Sequence, residues 1–172
     1  MIIRLCFLAF LLTSFRTDEY SIEWHYITTH QDLAIAEMHR HGVPASIILA
    51  QALVESDAGR SILAMRANNH FGIKCKSWWT GGRYYYADDD KAPNGQLVPS
   101  CFRFYASAEE SFADHSTFLR ESERYQELFS YGNDYLAWAQ GLQRCGYATD
   151  ARYGQRLIQT IERFGLSAFD QR

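Results

Sequence analysis

The stretch VPASIILAQALVESDAGR, Val43–Arg60, is apolar almost without a break until Glu55, two residues before Asp57. Pro44 suits the first position of a helix, where its missing amide hydrogen has no intrahelical partner to lose. Gly59 suits the stop, so a helix is predicted from Pro44 to about Ala58. On its surface Ile48, Ala52 and Glu55 share one stripe, Leu49 and Leu53 a second, and Ile47 and Val54 a third. A helix apolar on nearly every side is central and buried. Burial raises the pKa of a carboxyl, and the negative end of the helix dipole opposes ionisation further. Glu55 is then a carboxyl that keeps its proton near neutral pH, as a general acid must. The bland alternative is a solvated Glu55, or one paired with Arg60 or Arg66.

The 172 residues suffice for one domain with a sizeable core. Composition is globular, 47% apolar and 22% charged. A net charge of -3 argues against a nucleic-acid partner, which needs a clustered basic surface, and leaves a neutral polymer open as substrate. The cysteines lack paired short spacing and the six histidines are scattered, so no metal is expected. No cofactor is expected either. Residues 1–18 read as an export leader: Arg4, an apolar run from Leu5 to Leu12, then polar residues. The alternative is a buried N-terminal helix. Export to the periplasm or cell envelope is the expectation that goes with a leader.

Residues 19–172 then form a single domain, expected to be monomeric. QDLAIAEMHRHG reads as a helix ending at Gly42, with Leu33, Ala36 and Met38, or Ala34 and Met38, buried. A short helix is expected around Ser61–Ala67. Between about 75 and 105 the chain turns rich in glycine and aromatics. YYYA and CFRFY read as strands, with DDDKAPNGQ as the turn between them. Helices resume with a capping box at Ser107 and Glu110, then DYLAWAQGLQRCG. Last comes ARYGQRLIQTIERFG, capped by Thr149 or Asp150, with Leu157, Ile158, Ile161 and Phe164 at helical spacing. The fold class is mainly α, an α+β arrangement with a helical core and one small antiparallel β-lobe. Cys75 and Cys101 bracket that lobe and are the favoured disulfide in an oxidising compartment. Cys145 would be a small buried hydrophobe.

VPASIILAQALVESDAG, NNHFGIK (Asn68–Lys74), CFRFYASAEESFADHSTFL (Cys101–Leu119) and GYATDARYGQRLIQTIERFGL (Gly146–Leu166) occur in order. Together they resemble the peptidoglycan-hydrolysing glucosaminidases of glycoside hydrolase family 73. The resemblance implies a lysozyme-like fold whose β-lobe flanks a substrate groove, with Glu55 as catalytic acid. It also implies an endo-acting enzyme that cleaves the β-1,4 bond after N-acetylglucosamine in peptidoglycan. The same fold class contains muramidases and lytic transglycosylases, and an inactive glycan-binding module is the alternative from another class. An amidase is disfavoured, because the metal ligands are missing and Cys145 has no evident histidine partner.

Where the family commonly carries a second carboxylate, this chain has YYYADDDK, so Asp88, Asp89 and Asp90 are the candidates. An ionised aspartate there would serve as base or nucleophile; substrate assistance by the acetamido group is the other route. Tyr147 matches a tyrosine implied to line the groove near the scissile bond. Asn68, Phe71 and Gly72 match a motif resembling the groove floor, and Asn69 reads as structural. Trp79, Tyr84 and Tyr86 are candidate sugar platforms. Tyr84 and Tyr86 share a strand face that Tyr85 does not. Asp114 and His115 read as structural. With no wall-binding repeat in view, targeting is expected to need a separate partner.

Overall fold

The computed structural model describes the backbone of residues 9–91 and 94–172, and the side chains of residues 22–87 and 94–172. Residues 1–8 of the expected leader lie outside the described residues, as do the side chains of its remainder and those of Asp88, Asp89 and Asp90. Helix α1 (Ala9–His41) is followed by α2 (Ala45–Ser56) and α3 (Ile62–Ala67). A hairpin of β1 (Gly82–Lys91) and β2 (Leu97–Phe104) comes next. Then follow α4 (Ala108–Glu121), a 3₁₀ segment Glu123–Tyr131, α5 (Tyr135–Arg144), α6 (Tyr153–Phe164) and a 3₁₀ segment Leu166–Gln171.

Helix α2 is the centre of the molecule. Residues 45–53 are all buried, as expected for a helix with no polar face. Around it pack Ile27 and Ala34 of α1, Phe112 and Leu119 of α4, Trp138 and Leu142 of α5, and Leu157 and Ile161 of α6. Of the two burial patterns open for α1, Ala34 with Met38 is the one found; Ala36 is exposed. Pro44 stands at the N-cap, one residue before the helix, and offers no side-chain acceptor there. The start of α2 is secured instead from the far end of the chain. The Asp170 carboxylate, buried, accepts the Ser46 amide hydrogen at 2.8 Å, the role a local cap residue usually fills.

The helix ends at Ser56 rather than Ala58, because Asp57, Ala58 and Gly59 all adopt left-handed φ values of 53°, 51° and 82°. The Ser56 hydroxyl donates to the Ala52 carbonyl at 2.6 Å and accepts the Gly59 amide at 2.8 Å, closing the helix from within. The capping box before α4 is present in split form. Ser107 Oγ accepts the Glu110 amide and the Glu110 carboxylate accepts the amide of Ala106. Helix α6 starts at Tyr153, later than expected, with Arg152 at the N-cap position. Asp150 closes the preceding turn by accepting the Arg152 amide at 2.9 Å.

The hairpin is longer than YYYA and CFRFY suggest. Tyr84 pairs with Phe102, Tyr86 with Ser100 and Lys91 with Leu97, with an irregularity between Ala87 and Lys91. The backbone of residues 88–90 thus belongs to β1 and not to the turn, a correction that the extra pairing at Lys91 explains. Cys75 and Cys101 are joined by a disulfide with Cα atoms 5.3 Å apart. It clips the approach to the lobe onto β2, where Lys74 also bridges to Phe102. Closing a loop of this separation stabilises by about 3 kcal/mol on the chain-entropy model. Reduction with a thiol is therefore expected to lower the unfolding free energy by that amount, read as a lower urea midpoint by circular dichroism. Cys145 departs from its expected burial. It is half-buried, and its thiol faces the Glu127 carboxylate at 3.9 Å.

Candidate active site

The last turn of α2 presents Glu55 beside the loop before α6. The Tyr153 hydroxyl donates to Glu55 Oε1 at 2.6 Å, and Gln51, one turn earlier on α2, donates to the Tyr153 oxygen at 3.1 Å. Both Gln51 and Tyr153 are buried, so Glu55 is held by a short chain of hydrogen bonds that begins in the core. Burial pushes the Glu55 carboxyl above its ordinary range, against the opposing pull of the Tyr153 hydrogen bond and the Arg156 charge. Neither Arg60 nor Arg66 is the partner here; Arg60 pairs with Asp57 at 2.7 Å.

Tyr147 lies parallel to Tyr153, with ring centroids 5.5 Å apart and an interplanar angle of 12°. Burial, with the Glu55 carboxylate as the next cause, pushes the Tyr147 phenol well above its ordinary value. It therefore stays protonated and can donate to an acceptor group of a ligand. A depression of about 150 Å³ beside Tyr147 is lined by Phe71, Gly72, Lys74, Lys76, Arg124 and Tyr125, among others. Gly72 has a φ of 64°, which explains the glycine, and a side chain there would meet open space. Phe71 is buried and stacks on His115 with centroids 3.9 Å apart. His115 is fully enclosed, which pushes its ring down to about 3 and leaves it neutral.

The structure thus brings Glu55 and Tyr147 together through Tyr153, and sets Phe71 and Gly72 beside Tyr147. The remaining expected site residues are placed differently. The Asn68 amide donates to the Tyr105 carbonyl at 3.0 Å, and Asn68 caps α3 with a φ of 48°. Asn69 is buried and bonds Ile73 and Arg103 backbone groups, as a structural residue should. Trp79 donates from its indole to the Gly82 carbonyl and lies over the Arg103 guanidinium at 4.4 Å. Tyr84 and Tyr86 are half-buried on the hairpin while Tyr85 is exposed, the alternation read from the sequence.

Tyr153 and Gln51 belong to the candidate site by these hydrogen bonds and were not singled out by the sequence reading. A signal existed. Tyr153 begins the buried stripe continued by Leu157, Ile161 and Phe164, and a buried tyrosine needs a partner for its hydroxyl. Tyr153→Phe removes the hydrogen bond that favours the ionised carboxylate. The alkaline limb of the pH–rate profile is then expected to move to higher pH, because Glu55 holds its proton longer. An unshifted limb in steady-state assays would contradict this coupling.

The family model for glucosaminidase, described as mannosyl-glycoprotein endo-beta-N-acetylglucosaminidase, matches residues 31–166. The chain belongs to the glucosaminidase family. The peptidoglycan hydrolase FlgJ of Pseudomonas aeruginosa is 35% identical over 140 residues, covering 78% of this chain and 35% of that protein. The exo-glucosaminidase LytG of Bacillus subtilis is 32% identical over 161 residues, covering 90% of this chain and 55% of that protein. This glucosaminidase domain therefore spans only part of the length of either relative. The glycoside hydrolase domain of Salmonella typhimurium FlgJ superposes with a TM-score of 0.68 at 27% identity, over 85% of this chain and 90% of that one. The catalytic domain of the autolysin Auto from Listeria monocytogenes shares the fold, with a TM-score of 0.76 at 24% identity over 92% and 97% of the two chains. The glucosaminidase fold accounts for the lysozyme-like arrangement seen here, a helical core with one β-hairpin lobe.

Proposed function

We propose that this glucosaminidase hydrolyses the β-1,4 bond after N-acetylglucosamine within peptidoglycan strands, with Glu55 as general acid. The observation that carries the reading is the Glu55 carboxyl at the end of a buried helix, set by the Tyr153 hydroxyl at 2.6 Å. A half-buried carboxyl with a raised pKa can deliver a proton to the leaving glycosidic oxygen near neutral pH. Tyr147, protonated at any working pH, is suited to donate to the acetamido group or to the developing charge beside the cleaved bond. For the second step we assign Asp88 or Asp90 of β1 as the base that takes a proton from water, unless the acetamido group itself attacks. Trp79, Tyr84 and Tyr86 are proposed to contact sugar on the lobe.

The wall-directed relatives favour peptidoglycan as the substrate, and the leader read in residues 1–18 favours export to the envelope. No helix among the described residues is long and apolar enough to cross a membrane. The test is a digest of purified peptidoglycan, reduced with borohydride and analysed by mass spectrometry. Reduced N-acetylglucosamine ends are expected, on fragments of several lengths for an endo-acting enzyme. Reduced muramic ends or anhydro products would transfer the domain to the muramidase or lytic transglycosylase class, and single sugars alone would make it exo-acting.

A further inference from the structure

We propose that the depression beside Tyr147 is a carboxylate subsite, formed by Lys74, Lys76 and Arg124, which holds the acidic substituent of a muramic acid residue next to the cleaved bond. This rests on the glycan-strand reading above. Among the described residues, the depression is lined by three cationic side chains and by no carboxylate, in a chain whose net charge is -3. Such a concentration of one sign selects for an anion. The larger cleft of about 360 Å³ is different in kind, because Glu23 and Asp57 line it together with Arg156 and Arg163. Of these two cavities, the one beside Tyr147 is the one that favours an anion.

The Arg124 side chain is held in place, and so is the backbone that carries the two lysines. Arg124 donates from Nε to the Cys145 carbonyl at 2.6 Å and from Nη2 to the Gly146 carbonyl at 2.9 Å. These are the two residues before Tyr147, so the guanidinium is docked on the loop that carries the tyrosine ring. Lys74 and Lys76 flank Cys75, which is bonded to Cys101, and Lys74 bridges to Phe102. Ordering the guanidinium and this stretch of backbone beforehand reduces the entropy lost when a ligand binds. In a strand of alternating N-acetylglucosamine and N-acetylmuramic acid, only the muramic acid is acidic. Its lactyl ether ends in a free carboxylate or continues into a peptide that bears carboxylates. The shared chemistry is a carboxylate within a few bonds of the ring, and charge-assisted hydrogen bonds from lysine would hold it.

The test uses the full chain carrying Glu55→Gln, so that ligands are not consumed, with and without Lys74→Gln and Lys76→Gln. Binding is titrated with a chitin oligosaccharide, with glycan strands stripped of peptides, and with strands that keep their peptides. The lysine substitutions are expected to weaken acidic strands about tenfold, to flatten their salt dependence and to leave chitin binding unchanged. Weakening of both acidic ligands assigns the lactyl carboxylate; weakening of the peptide-bearing strand alone assigns the peptide carboxylates. Equal weakening of chitin, no weakening of either acidic strand, or no binding of acidic strands would overturn the subsite. Lys76→Gln alone, at an exposed position, is the variant to read if the double substitution lowers the melting temperature. Charge-dependent binding by a chain whose wild type cuts nothing would refute the hydrolase and keep the subsite.

Discussion

Glu55→Gln is expected to lower the rate of peptidoglycan hydrolysis by about 10²–10⁴-fold, the usual contribution of a positioned general acid. Glutamine keeps an oxygen that can accept the Tyr153 hydroxyl, now 2.6 Å from Glu55 Oε1, so the site retains its shape. It carries no proton to give to the leaving oxygen. Rate should fall while binding of the strand persists, which equilibrium titration measures separately. Stability supplies a second readout with a definite sign. Burial raises the Glu55 pKa above its ordinary 4.5, so the folded state disfavours the ionised form more than the unfolded chain does. Wild type therefore loses stability relative to the variant as pH rises from below 4.5 through the folded value. The variant should melt higher at neutral pH, and the difference should vanish below 4.5. Hydrolysis within tenfold of wild type would show that the proton comes from elsewhere.

Asp114→Ala is expected to destabilise the fold by about 3–5 kcal/mol, because it leaves a buried cation without its counter-charge. Arg103 on β2 is only 2% exposed, and its Nη1 donates to both Asp114 oxygens at 2.7 Å. The Tyr105 hydroxyl donates to the same carboxylate at 2.6 Å, so three polar contacts between the lobe and α4 meet on one side chain. The guanidinium lies against the rings of Trp78 and Trp79, at 4.9 and 4.4 Å, where water cannot replace the lost partner. In a chain of this size the melting temperature should drop by roughly 6–20 °C. Arg103→Met combined with Asp114→Ala should recover part of the loss, since an apolar replacement removes the unpaired charge. No recovery would mean that packing against the tryptophans, rather than charge, dominates at this junction.

Glu55 was legible as a candidate because the pattern that marks it is local. A run with no polar face and one carboxylate in its last turn can be read as a buried helix from spacing alone, and Leu49 and Ala52 are buried where that reading puts them, with Glu55 half-buried at the end. The half-buried faces of Tyr84 and Tyr86 follow from the two-residue repeat of a strand. What was not legible depends on residues far apart in the chain. The Glu55–Tyr153 bond joins positions 98 apart, and Gln51 reaches Tyr153 across 102. The early end of α2 depends on Ser56 turning its hydroxyl inward, which no helix propensity encodes. The aspartates of β1 read as a turn because their composition is that of a turn, yet their backbone runs on within β1, in the irregularity between the paired Ala87 and Lys91. Asn68 matches a groove-floor motif in the sequence, and only the fold shows that its amide also satisfies the Tyr105 carbonyl.

The Asp170 carboxylate at the start of α2 has a consequence for how the protein is made. During synthesis the ribosome releases Ser46 long before Asp170, 124 residues later. Until then the helix that carries Glu55 in its last turn lacks its anchor, and the Tyr153 that donates to Glu55 is also still to come. A nascent chain therefore carries Glu55 without its hydrogen-bond partner, so on the general-acid proposal above activity arises only as the later elements close on α2.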